Sequence, residues 1–212
     1  QITTQSTTDL RNIPNNTIDY IFVDPPFGAN IMYSELNLIS ENWLGCKTNN
    51  KKEAIINKSQ KKEITQYMNL MEKSFSEMFR ILKPNRWITI EFHNSRNSVW
   101  NSIQSSLAIA GFVIADVRVL NKEKKTINQF NSRGAVDQDL IISAYKPKDS
   151  FCRAFLAHSG SAETAWDFVR QHLENLPVVV KKKGVIEFTA ERQTFLLFDR
   201  MVAYHIMKGI PV

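Results

Sequence analysis

Glycine is scarce in this chain: the seven present stand at positions 28, 45, 111, 134, 160, 184 and 209, so no GxG pair occurs anywhere. Paired glycines, which let backbone N–H groups approach a ligand closely, are therefore not encoded in these residues. Cysteine is scarcer still. Cys46 and Cys152 lie far apart and outside any CxxC spacing, which removes support for a disulfide framework or a zinc site and points to a reducing compartment, the cytoplasm. His158, His172 and His205 lack metal-ligand spacing, and the residue order supports no Ser-His-Asp or Cys-His arrangement, so no metal is expected. Long apolar runs are also missing. Those at 21–23 and 140–142 fall far short of the roughly 20 residues a membrane span requires, so no membrane insertion is expected. The first residue is Gln1 and the opening ten are polar and threonine-rich, without a basic-then-apolar leader pattern. The expectation is a start inside a longer protein.

With 212 residues, 43% hydrophobic and 23% charged, the chain can bury one core plus a small appendage. The formal charge is +6, with lysines grouped at 51, 52, 58, 61 and 62, at 122, 124 and 125, and at 181–183. Each group alone reads as a solvated loop; convergence on one face would suit a polyanion.

Residues 18–23 (IDYIFV) form a short β-branched and aromatic run that stops at Asp24-Pro25-Pro26, as a buried parallel strand would. From Glu63 apolar residues recur at three- and four-residue spacing through Ile64, Met68, Met71, Phe75, Met78, Phe79 and Leu82, with Pro84 closing a long amphipathic helix. Residues 87–92 (WITIEF) read as a second strand. Ser95 or a neighbour then caps a helix that stops at Gly111, and residues 112–120 form a third strand. After a polar connection, residues 139–145 (DLIISAY) supply a fourth. No helical pattern separates the last two strands, so they should pair antiparallel at the end of a mostly parallel sheet. Residues 149–212 read as an appendage: a helix near 162–173, a hairpin of 178–180 with 185–188, and a helix near 191–208.

The chemistry concentrates at Asp24-Pro25-Pro26-Phe27-Gly28, at the carboxyl end of a strand, where open α/β sheets bind ligands. Methylating an exocyclic amine is difficult because the nitrogen lone pair is delocalised into the base ring. A site must accept the amine's protons and favour a tetrahedral nitrogen. The Asp24 carboxylate and the Pro25 carbonyl can each accept one N–H, Pro26 helps fix that carbonyl, and Phe27 offers a stacking face for a base flipped out of its duplex.

The tetrapeptide Asp24 to Phe27 resembles the Asp/Asn/Ser-Pro-Pro-Tyr/Phe/Trp signature of the N6-adenine and N4-cytosine DNA amino-methyltransferases. Residues 9–14 (DLRNIP) are similar to the approach loop of class I methyltransferases, with Thr8 in place of its glycine, and IMYSEL, RILKPNRW, EFHN and QDLIISA look like one group of bacterial DNA methylases. The resemblance covers roughly residues 1–148 and implies an α/β fold: the second half of a Rossmann-like class I sheet with a terminal antiparallel hairpin, followed by a mostly helical appendage. It further implies S-adenosyl-L-methionine as cofactor, with Asp9 receiving its adenine amino group and Asp24 beside it. DNA is the implied partner, its phosphates met by Lys58, Lys61 and Lys62 or by Lys122, Lys124 and Lys125. The family's glycine-rich cofactor loop is missing, so the cofactor-binding half of the same polypeptide is expected to lie elsewhere, and the strand at 18–23 is expected to be an exposed sheet edge. His93, at the end of the second strand, is a weaker candidate for the base pocket, and Tyr33 and Glu35 are weaker again. An RNA guanine-N2 methyltransferase and a non-catalytic nucleic-acid-binding module remain alternatives, and a restriction or phage-defence partner stays open.

Overall fold

The computed structural model describes residues 5–29, 31–93, 97–121, 138–182 and 184–212. Lys122, Lys124, Lys125 and the capping position Ser95 lie outside the described residues. The element order is β1 (Ile18–Val23), α1 (Tyr33–Leu44), α2 (Ile64–Ile81), β2 (Leu82–Phe92), α3 (Asn97–Ala110), β3 (Val113–Asn121), β4 (Gln138–Tyr145), α4 (Asp149–Ala157), α5 (Glu163–Asn175), β5 (Val179–Lys182), β6 (Val185–Phe188) and α6 (Thr194–Lys208).

The main sheet has the order β1-β2-β4-β3. β1 runs parallel to β2, while β4 is antiparallel to both β2 and β3, so the expected hairpin is present and its returning strand is inserted between its predecessors. The α/β class and the terminal antiparallel hairpin agree with the sequence reading, but among the described residues only one of the three strand pairings is parallel, so the sheet is mixed where a mostly parallel one was expected.

Side-chain alternation divides the sheet. Ile88, Ile90, Phe92, Ile142 and Ala144 face α2 and α3, where Tyr67, Met71, Phe75, Val99, Ile103 and Leu107 complete one core. Val113, Ala115 and Tyr145 belong to a second core with Phe151, Phe155, Phe168, Met201 and Tyr204, so the appendage packs onto the sheet. Its helices cover the second face at β3 and β4. At β1 none of the six residues is buried and Tyr20 and Phe22 are exposed, so the strand is parallel but not the buried one its composition suggested; it is the sheet edge that the missing cofactor half implied.

Four features differ from the sequence reading. α1 is unexpected: it buries none of its residues, and Leu36, Ile39 and Trp43 are exposed, so no burial periodicity singles it out. α4, only nine residues long, is a second unexpected helix. β2 starts at Leu82, five residues before the expected strand, through an irregular stretch that includes Pro84 and the left-handed Asn85. There the Asn85 amide donates to the Lys146 carbonyl and the Lys146 amide to the Arg86 carbonyl, holding the segment against the end of β4 despite the proline. The last expected helix is likewise split into a 3-10 turn, Ala190–Arg192, and α6.

The end of the sheet away from the motif is closed by a buried cation. Lys146 Nζ donates to Asn16 Oδ1 at 2.7 Å and to the Phe79 and Leu82 carbonyls at 2.8 and 2.9 Å, satisfying carbonyls at the end of α2 that have no intrahelical partner. Burial pushes its ammonium below the usual lysine range.

Candidate functional site

β1 ends where two prolines forbid further ladder bonds, which leaves Asp24 exposed, Pro25 buried and Phe27 half-buried at the carboxyl end of the strand. The chain then turns at Gly28, whose φ of +73° favours glycine and where an added Cβ would meet Ile56 Cδ1 at 3.3 Å. The Gly28 carbonyl accepts from the Ile56 amide at 3.1 Å, pinning the turn to the segment before α2.

Two tyrosines support the motif. The Tyr67 hydroxyl, on the first turn of α2, donates to the Pro26 carbonyl at 2.7 Å. Burial raises its pKa well beyond the ordinary tyrosine range, so the hydroxyl stays a donor. Tyr33, at the start of α1, is also raised, first by burial and then by the charge of Asp24 nearby. Phe27 packs edge-on against Phe92, centroids 5.7 Å apart and planes at 77°, which fixes the direction of its ring. His93 lies 6.0 Å from the same ring.

His93 carries a partner that sequence reading does not find. Phe92 pairs with Leu140 across the antiparallel β2–β4 ladder, so His93 falls opposite Asp139. There His93 Nδ1 stands 2.5 Å from Asp139 Oδ1, with Asp139 almost fully buried.

Beside the motif is a groove of about 390 Å3 lined by Ser6, Thr7, Thr8, Asp24, Pro25, Pro26, Lys52 and the α2 residues Leu70, Met71, Ser74 and Met78, among others. Thr7 Oγ1 lies 3.2 Å from Ser74 Oγ within it. Asp9, the expected adenine receptor, is not among the lining residues; Arg11 Nε and Nη2 donate to its carboxylate at 2.8 and 2.6 Å and hold its pKa below the usual range. Residues 10–15 are anchored by α2: Leu10 N donates to Glu77 at 2.7 Å, and Arg80 donates to the Leu10 and Ile13 carbonyls. A second groove, about 430 Å3 between α3, β3 and α6, is mostly apolar and holds none of the motif.

Of the expected phosphate contacts, Lys58 and Lys61 are exposed near the motif's supporting segment. Lys62 is turned inward, donating to the carbonyls of Glu53 and Asn50. Lys52, in the groove, is a site residue that sequence reading does not single out. Its position follows from the contact between residues 55–56 and Gly28, which proximity in sequence does not reveal. Among the described residues no group of histidine, cysteine and carboxylate side chains could hold a metal ion, and no helix is long and apolar enough to cross a membrane.

A strand ending in Asp-Pro-Pro-Phe, braced by a buried tyrosine and a fixed aromatic ring, is accompanied by a match of residues 18–195 to the DNA methylase family of N6 and N4 methyltransferases. The chain belongs to this family. The match crosses residue 148 and takes in much of the appendage. None of the curated proteins matches. Similar solved structures include a Thermus thermophilus protein classed as a DNA modification methylase, complexed with S-adenosyl-L-methionine (13% identity, 78% of this chain and 64% of that one, TM-score 0.40). Another is the cytosine-N4-specific PvuII DNA methyltransferase (11% identity, 70% and 50%, TM-score 0.40). A third is a 16S rRNA adenine-1408-N1 methyltransferase from Catenulisporales acidiphilia (16% identity, 68% and 61%, TM-score 0.34). The chain thus spans less than two thirds of the length of these three proteins.

Proposed function

We propose that this protein transfers a methyl group from S-adenosyl-L-methionine to the exocyclic amine of adenine (N6) or cytosine (N4) in DNA. The observation that carries the reading is the braced motif at the end of β1: Asp24 exposed, Tyr67 on the Pro26 carbonyl, and Phe27 fixed by Phe92. A flipped base stacks on Phe27, Asp24 accepts one amino N–H and the Pro25 carbonyl the other, drawing the nitrogen towards a tetrahedral geometry. Because Tyr67 occupies the neighbouring carbonyl, the motif is set before substrate arrives and little reorganisation is needed at the moment of reaction.

The groove beside Asp24 suits the cofactor chemically. Lys52 would meet its carboxylate, the hydroxyls of Ser6, Thr7, Thr8 and Ser74 its polar atoms, and Leu70, Met71 and Met78 its apolar surface. When bound, S-adenosyl-L-methionine supplies an electrophilic methyl group. Asp9 would reach it only by exchanging its Arg11 contacts, and with no GxG in the chain a glycine loop from elsewhere in the polypeptide would complete the site. In this reading residues 1–148 form the catalytic unit, 149–212 an added element, Lys58 and Lys61 with Lys122, Lys124 and Lys125 meet phosphates, and the protein works in the cytoplasm.

The test is labelled methyl transfer to unmethylated duplex DNA beside structured RNA. Label on DNA at the N6 or N4 position supports the reading. Label on RNA alone would promote a guanine-N2 methyltransferase, and salt-sensitive DNA binding without transfer a binding module.

A further inference from the structure

The pairing of His93 with Asp139 has no role in the mechanism above, although it borders the ring proposed to hold the base. Both residues arrive there through the sheet: β2 delivers His93 at its carboxyl end, and the antiparallel β4 delivers Asp139 opposite it. Asp139 lies on a strand between two others and is nearly fully buried, while His93 keeps about a quarter of its side chain exposed, 6.0 Å from Phe27. A carboxylate accepts and does not donate, so in the neutral imidazole the proton sits on Nδ1 and the lone pair on Nε2. A buried acid that fixes the tautomer of a part-exposed histidine is the arrangement by which an imidazole is made ready to take a proton.

We propose that His93, oriented by Asp139, is the proton acceptor of the methyl transfer; the inference rests on the amino-methylation reading above. The amino nitrogen's lone pair forms the new N–C bond while the methyl carbon's bond to sulfur breaks with its pair left on sulfur. The nitrogen then sheds the proton that Asp24 holds, keeping the N–H pair, and that proton passes by way of the Asp24 carboxylate to His93 Nε2. The imidazolium formed is paired with the Asp139 carboxylate at 2.5 Å. Asp24 and Pro25 hold the amine by accepting its hydrogen bonds, and His93 removes the proton.

The test uses the protein at its full length, with labelled methyl transfer to DNA and nitrogen NMR of its histidines. His93→Ala is expected to lose about 10²-fold in kcat with the KM for DNA little changed, and added imidazole should restore part of the rate. In the wild type, His93 should carry its proton on Nδ1, and Asp139→Asn should weaken that preference. A His93→Ala rate within about twofold of wild type, a loss that imidazole does not restore, or a wild-type ring protonated only on Nε2 would each overturn the proposal. A wild-type protein that transfers no methyl group would instead remove the reading on which it rests, a result distinguishable from all three.

Discussion

The Tyr67 hydroxyl and the Pro26 carbonyl oxygen, 41 residues apart in sequence, meet at 2.7 Å and tie the first turn of α2 to the motif that ends β1. Tyr67 is fully buried, so its removal leaves the Pro26 carbonyl without this donor. Tyr67→Phe should cost about 1–2 kcal/mol in thermal unfolding. In the methyl-transfer assay it should lower kcat on the order of tenfold with a smaller change in KM, since the motif's pre-set geometry is what the bond protects.

The segment leading into β1 depends on α2 in the same way. Glu77 accepts from the Leu10 amide at 2.7 Å and from Arg80, and the Arg80 guanidinium holds its carboxyl below the usual glutamate range. A depressed folded-state pKa means stability that is present at neutral pH and is lost as pH falls through that value. Glu77→Gln should cost about 1–3 kcal/mol at neutral pH. The gap between the two proteins should close as the solution is acidified below the ordinary carboxylate range, measured by denaturant unfolding at several pH values.

The appendage has its own acid sensitivity. The Tyr145 hydroxyl lies 3.0 Å from His172 Nδ1, joining β4 to α5, and His172 is fully buried. Burial, reinforced by the charge of Arg200, pushes its pKa down to about 4 from the ordinary 6.5. The unfolded chain therefore binds this proton first, so stability is intact above pH 6.5 and falls towards about pH 4, with no further loss from this group below it. The full effect is about 3 kcal/mol, on the order of 5–10 °C in Tm. His172→Gln, which keeps an acceptor for Tyr145, should flatten the fall between these pH values; an unchanged slope would contradict the assignment.

What the sequence makes legible is what local pattern encodes. The strand at 18–23 announces itself by β-branched residues ending at two prolines, α2 by its three- and four-residue spacing, and the β3–β4 hairpin by the want of a helix between two strands. α1 goes unrecognised although Leu36, Ile39 and Trp43 recur at three- and four-residue spacing, a stripe that stays exposed instead of entering either core. Asp139 is hidden because its meaning comes from strand register, which brings it to His93 across 46 residues. Neither Tyr67 nor Lys146 belongs to a motif or spacing that sets it apart in the sequence. In both cases the polar end of the side chain is buried on carbonyls that only the tertiary fold presents.

Asp24 and its neighbours are proposed to methylate an exocyclic amine of DNA. The direct measurement is transfer of labelled methyl from S-adenosyl-L-methionine to unmethylated duplex DNA by the full-length protein and its Asp24→Ala variant. Label is expected at N6 of adenine or N4 of cytosine with the wild type, with a loss on the order of 10²-fold or more in Asp24→Ala, DNA binding being retained. Equal labelling by both proteins, or cofactor binding with no labelled DNA, would contradict it.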